Sequence, residues 1–143
     1  MSTDTLCGTD ADKLTRGELV IRTLTMPNDT NERGDIYAGW VMSQMDIGGS
    51  ILAHNTAQRK VATVAVEAMN FLRPLYVGDL ISCYAKLLKI GQSSVNVGVE
   101  VWAQRDLEAE EFCVTNGVFT YVAIDENGRP MPIRRNYSTA ALG

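Results

Sequence analysis

The chain has 143 residues, 45% of them hydrophobic and 21% charged, values that fit one globular domain and exclude wholesale disorder, collagen-like repeats and a coiled coil. A domain of this size buries roughly two-thirds of its unfolded surface, so it builds a core without disulfides or metals. Its net charge of -4 excludes a general role in gripping nucleic acid and leaves room only for a local basic patch toward a small phosphorylated ligand.

Cys7, Cys83 and Cys113 stand far apart with no CxxC spacing, which reads as a reduced compartment. His54 is the only histidine, so one chain cannot form a histidine-rich metal site. The N-terminus carries Asp4, Asp10 and Asp12 before Lys13 and lacks the basic-then-apolar pattern of a signal peptide. No apolar run approaches the ~20 residues of a membrane helix. A soluble, cytoplasmic protein without membrane or nucleic-acid partners is the expectation.

Residues 1–16 are polar and aperiodic and read as a flexible lead-in, and 134–143 as a flexible tail, leaving 17–133 as the domain. Glu18 to Thr25 is a short strand stopped at Met26-Pro27. From Gly39 to Ala57 the pattern turns helical: Trp40, Gln44, Ile47 and Ile51 recur at helical spacing, as do Val41, Met45, Gly48 and Leu52. Such a helix is roughly 28 Å long, and being apolar on most sides it reads as buried. Gly48, Gly49, Ser50 and Ala53 are small enough to admit another backbone.

Val61 to Phe71 is a strand closed by Arg73-Pro74, and Leu80 to Lys89 is the next. Ser93 to Ala103 alternates Val95, Val97, Val99 and Val101 with Asn96, Gly98, Glu100 and Trp102, a strict period of two. Phe112 to Ile124 ends at the turn Asp125-Glu126-Asn127-Gly128. The order β-α-β-β-β-β predicts an α+β fold, with the last four strands as an antiparallel meander wrapped around the helix.

Asp46 is the conspicuous residue, a carboxylate midway along an otherwise apolar helix. A buried carboxylate is costly without a partner or a purpose, so both a structural hydrogen bond and a chemical role are open. In Thr30-Asn31-Glu32-Arg33-Gly34-Asp35-Ile36-Tyr37-Ala38-Gly39-Trp40, Gly34 and Gly39 permit tight turns and leave amides uncovered at the helix start. Free N–H groups there suit an anion or a developing oxyanion. Asp46 follows Gly39 by seven residues, close to two turns, which puts both on one side of the helix.

Three stretches carry a resemblance. They are Met26-Pro27-Asn28-Asp29-Thr30-Asn31 with Gly34 to Trp40 and Met42 to Gly49, then Phe71-Leu72-Arg73-Pro74 with Val77-Gly78-Asp79, then Tyr121-Val122-Ala123 with Gly128-Arg129-Pro130. Together, over residues 17–132, they resemble the hotdog-fold acyl-CoA thioesterases of the YciA type. The resemblance implies an antiparallel sheet wrapped around a long central helix. It also implies hydrolysis of acyl-CoA to CoA and a carboxylic acid, without metal or cofactor. The family's helix acid corresponds to Asp46, its loop asparagine to Asn31, and its carbonyl-polarising amide to Gly39. Ala38 departs from the glycine common there and is expected to narrow the acyl pocket.

The resemblance further implies a CoA end at Gly91, Ser93 and Ser94, beside which a bland hairpin turn is an equal reading. Arg73 and Arg129 are candidate phosphate partners, and Glu67 a supporting residue or a structural ion pair. Asp46 as general base and Asp46 as nucleophile both remain open. Unpaired sheet edges and the family's habit imply a dimer, with Asn31 and Asp46 drawn from different copies, and a hexamer built as a trimer of dimers.

Other chemistries fit less well. There is no GxSxG elbow, no P-loop and no GxGxxG. His54, eight residues past Asp46, is read as structural, and no histidine precedes the helix where hotdog dehydratases carry one. A non-catalytic acyl-CoA sensor or carrier on the same scaffold is the alternative function, and an assembly module without CoA affinity a third.

Overall fold

The structure, a computed structural model, describes residues 16–106 and 109–134. Strand β1 (Glu18–Leu24) leads through a short 3-10 turn (Pro27–Asp29) and a loop into helix α1 (Ala38–Ala57). Four strands follow: β2 (Val61–Phe71), β3 (Leu80–Ile90), β4 (Ser94–Gln104) and β5 (Phe112–Ala123). All pairings are antiparallel, in the order β1-β3-β4-β5-β2, and α1 packs across all five strands. This is the α+β wrap expected from the sequence.

The predicted four-strand meander holds only for β3, β4 and β5. β2 pairs with β5 instead of β3 and forms the far edge. The reason lies in segment 72–79, which crosses the end of the sheet. At its start the amides of Leu72 and Arg73 donate to the Val114 carbonyl of β5, and at its end the Asp79 carbonyl accepts from Thr25 beside β1. Crossing from β2 to β3 past two strands takes roughly 14 Å. Eight residues span that with slack.

The period of two in β4 has its physical cause in the helix. Val95, Val97, Val99 and Val101 are all fully buried and join Val41, Met45, Ala53 and Ala57 of α1 in one core. At Gly48 a Cβ would come within 2.7 Å of a Val20 methyl, so glycine lets the helix settle onto the sheet. The helix is buried on that face alone. Ile47 and Ile51 are 52% and 41% exposed, and Val64, Val66 and Phe71 of β2 are exposed as well, so the full burial read from the apolar pattern does not arise within one copy.

On the sheet's other face, Arg16 stacks over Tyr84 and Trp102 at 4.0 and 4.9 Å and pairs with Glu111 at 3.1 Å. Arg16 is thus held in place, although the sequence puts it in the flexible lead-in. At the other boundary the Arg134 amide donates to the Ala57 carbonyl at the end of α1. The remainder of both flexible assignments, 1–15 and 135–143, lies outside the described residues. Cys83 is free and buried. Among the described residues no helix is long and apolar enough to cross a membrane.

Candidate active site

Helix α1 starts without a capping side chain, for Tyr37 at its N-cap offers none and no acid sits in its first turn. The Trp40 and Val41 amides return to the Tyr37 carbonyl, while those of Ala38 and Gly39 meet no acceptor among the described residues. A Cβ at Gly39 would find nothing within 4 Å, so this backbone lies open to an incoming group. Uncovered N–H groups at the positive end of a helix are suited to stabilise negative charge.

The loop before the helix is tied by Asn31. Its Oδ1 accepts from the Arg33 amide at 2.8 Å, its Nδ2 donates to Asp35, and its backbone pairs with the Asp35 carbonyl at 2.8 Å. Asn31 therefore shapes the loop as well as facing the cavity there. That cavity is about 290 Å³ and is lined by Asn31, Arg33, Ala38, Val41, Phe71 and Arg73 with neighbouring residues. Arg73 is exposed and stacks on Phe112 at 4.1 Å.

Asp46 occupies a second cavity, about 190 Å³, with Met42, Ser43, Thr63, Val66 and Phe119. Two hydroxyls reach its carboxylate. Thr63 on β2 donates to Oδ1 at 2.7 Å, and the single hydroxyl proton of Tyr121 on β5 is shared between the Asp46 carbonyl at 2.9 Å and the same Oδ1 at 3.2 Å. Oδ2 has no hydrogen bond among the described residues. Asp46 thus has partners and also an open oxygen, so the two readings of this carboxylate coexist. Burial, and then the Asp46 charge, push the Tyr121 phenol above its ordinary range, so it remains a donor.

Sequence reasoning missed Thr63 and Tyr121. The available signal was a hydroxyl within an apolar strand, at Thr63 among valines and alanines and at Tyr121 within the quoted Tyr121-Val122-Ala123.

The structure does not bring all predicted residues together. Gly39 and Asp46 are separated by roughly 10 Å along the helix, too far for one carbonyl to touch both within a single copy. Gly91, Ser93 and Ser94 form the β3–β4 turn, where the Gly91 amide donates to the Ser94 carbonyl at 2.8 Å. That turn meets the chain near the end of α1, since the Gln92 carbonyl accepts from Ile133 and Ala57 accepts from Arg134. Arg129 lies in the turn after β5, its amide on Asp125 Oδ1 at 2.9 Å. These four thus belong to the opposite end of the helix from Asn31 and Arg73. Glu67 is exposed on β2, where it pairs with Val118 of β5, and its side chain makes no hydrogen bond or ion pair among the described residues, so the ion-pair reading finds no partner. His54 is exposed in the last turn of α1. Among the described residues no three His, Cys, Asp or Glu side chains converge as metal ligands.

A central helix wrapped by an antiparallel sheet, with a held carboxylate on the helix and open amides at its start, defines a hotdog-fold protein of the thioesterase class. The chain belongs to the thioesterase superfamily, whose model matches residues 33–110.

Relatives within it carry the YciA name. The chain is 48% identical over 128 residues to the acyl-CoA thioester hydrolase YciA of Salmonella typhimurium, a match spanning 87% of this chain and 96% of that protein. It is 53% identical over 123 residues to an uncharacterized acyl-CoA thioester hydrolase of Haemophilus influenzae, spanning 84% and 80%. Among solved structures it resembles an aspartate-to-alanine mutant of a hexameric broad specificity acyl-coenzyme A thioesterase, with TM-score 0.82, 48% identity and coverage of 89% and 97%. The hexameric thioesterase of Yersinia pestis gives TM-score 0.78 at 51% identity, covering 82% and 96%.

Proposed function

We propose that this protein is an acyl-CoA thioesterase, hydrolysing acyl-CoA to CoA and a carboxylic acid without metal or cofactor. The observation that carries the reading is the Asp46 carboxylate, held through one oxygen by Thr63 and Tyr121 and lining a cavity with the other oxygen unengaged. The family and the named activity of its relatives supply the substrate class.

In this reading the thioester carbonyl lies against the Gly39 amide, where the helix dipole stabilises the oxygen as it becomes negative. Asp46 then acts in one of two ways. As general base it takes a proton from water, whose oxygen bonds to the acyl carbon; the C–S bond breaks and the CoA thiolate recovers the proton. As nucleophile its oxygen bonds to the acyl carbon and expels the thiolate, and water then cleaves the mixed anhydride. Asn31 orients the carbonyl or the water.

Because Gly39 and Asp46 of one copy stand roughly 10 Å apart, each site combines the helix start of one copy with the Asp46 of another. The exposed apolar face formed by Ile47, Ile51, Val64 and Val66 supports that pairing, and the hexameric neighbours support a trimer of dimers. Across such an interface Arg73 from one end of the helix and Gly91, Ser93, Ser94 and Arg129 from the other serve one CoA. Glu67 remains proposed as a supporting residue of the same interface, and the cytoplasm as the compartment.

The test is thiol release from acyl-CoAs of increasing chain length by the wild type and Asp46→Asn, with free CoA binding measured alongside and a chelator present in one arm. Collapse of hydrolysis in the variant, with CoA binding retained and chelation without effect, is expected. CoA binding without hydrolysis in the wild type would favour the sensor instead.

A further inference from the structure

Tyr121 is fully buried, yet its hydroxyl reaches out of the core to α1. It arrives there through a slot made by a missing side chain. A Cβ on Gly49 would collide with the Tyr121 hydroxyl and crowd its ring carbons at 3.2 Å. The slot and the carboxylate lie three residues apart on the helix, nearly one turn. Gly49 therefore admits the phenol to the point where it meets both the carbonyl and Oδ1 of Asp46.

A carboxylate is loosely held about its last torsion, which has broad two-fold minima, and the Thr63 bond together with the Tyr121 proton shared between Oδ1 and the helix carbonyl removes that freedom. Thr63 alone fixes one direction from the edge strand, and Tyr121 adds a second from β5 beneath the helix. We propose that Tyr121, seated in the slot left by Gly49, is a positioning residue that holds Asp46 Oδ1 so that Oδ2 alone presents to the thioester or the water. This rests on the thioesterase reading and assigns the reactive oxygen within it. Tyr121 touches no substrate and acts only through Asp46.

Four variants test the inference in the oligomer as purified, with kcat, KM, free CoA binding and melting temperature measured for each. In Tyr121→Phe the ring still fills the core, and kcat falls about 10- to 100-fold while KM and CoA binding hold, as expected for a misplaced reacting group. Gly49→Ala, which keeps the hydroxyl but closes its slot, lowers kcat in the same way. Gly48→Ala perturbs the neighbouring helix–sheet contact, at Val20 instead of Tyr121, and lowers the melting temperature with kcat retained. Tyr121→Phe placed in Asp46→Asn leaves the residual rate unchanged, because the effect runs through the carboxylate.

Wild-type kcat in Tyr121→Phe overturns the inference and leaves the thioesterase reading standing. So does an equal loss in Gly48→Ala, which marks a packing effect, or an undiminished effect in the Asp46→Asn background. A wild type that hydrolyses no thioester overturns both.

Discussion

Asp79 is 1% exposed and clamps the segment that walls the candidate site. Arg105 donates to it twice, Nε to Oδ1 at 3.0 Å and Nη2 to Oδ2 at 2.9 Å, and the Tyr76 amide donates to Oδ2 at 2.9 Å. The clamp has a path to the helix start, because the Ile36 amide donates to Leu75 and Asp35 bridges Tyr76. Removing one partner of a buried pair costs about 3–5 kcal/mol. Arg105 is 40% exposed and rehydrates when freed, so the cost of Asp79→Ala is discounted to about 2–3 kcal/mol. For a domain of this size that lowers the melting temperature by roughly 6–10 °C. Asp79→Asn keeps an acceptor for Tyr76 and loses about half as much. The assay is thermal unfolding at one fixed protein concentration, since assembly makes the midpoint concentration-dependent. A shift under about 2 °C in Asp79→Ala would refute the clamp.

Ala68 sits at a register break of β2 with φ of +53°, in the left-handed region that penalises a side chain by about 1–2 kcal/mol. Ala68→Gly relieves this, and after the entropic cost of glycine a gain of about 0.5–1 kcal/mol is expected in denaturant unfolding. Burial, then the Glu100 charge, push the Cys83 thiol from 9.0 up to about 12. Its stabilising share is complete below pH 9. Above that the unfolded chain ionises while the folded one does not, so stability falls until about pH 12. Cys83→Ala flattens the alkaline limb of a pH–stability curve, and Cys83 reacts slowly with disulfide reagents at pH 8 in the folded protein. Ala38 lines the cavity at the helix start, and Ala38→Gly is expected to raise kcat/KM for bulkier acyl-CoAs by about tenfold relative to short ones, the worth of one carbon in a fitted pocket.

Much of this protein was legible in the chain alone, because local periodicity is a local property. The alternating valines of β4 demanded a strand with one face on a core, and the helical recurrence of Val41, Met45 and Gly48 demanded a helix lying against it. Asp46 stood out because a carboxylate in an apolar helix needs a partner or a purpose, and the uncapped glycine at the helix start was visible as sequence. What the chain alone left open was every relation between distant segments. Nothing in β2 or β3 indicated that segment 72–79 crosses the sheet and sends β2 to pair with β5, since a hairpin and a crossover share the same turn residues. Thr63 and Tyr121 were ordinary strand residues until the fold closed β2 and β5 around α1 and brought both hydroxyls to one oxygen of Asp46. Hydrogen bonds of this kind join residues 17 and 75 positions apart, and their geometry exists only once the helix is seated on the sheet.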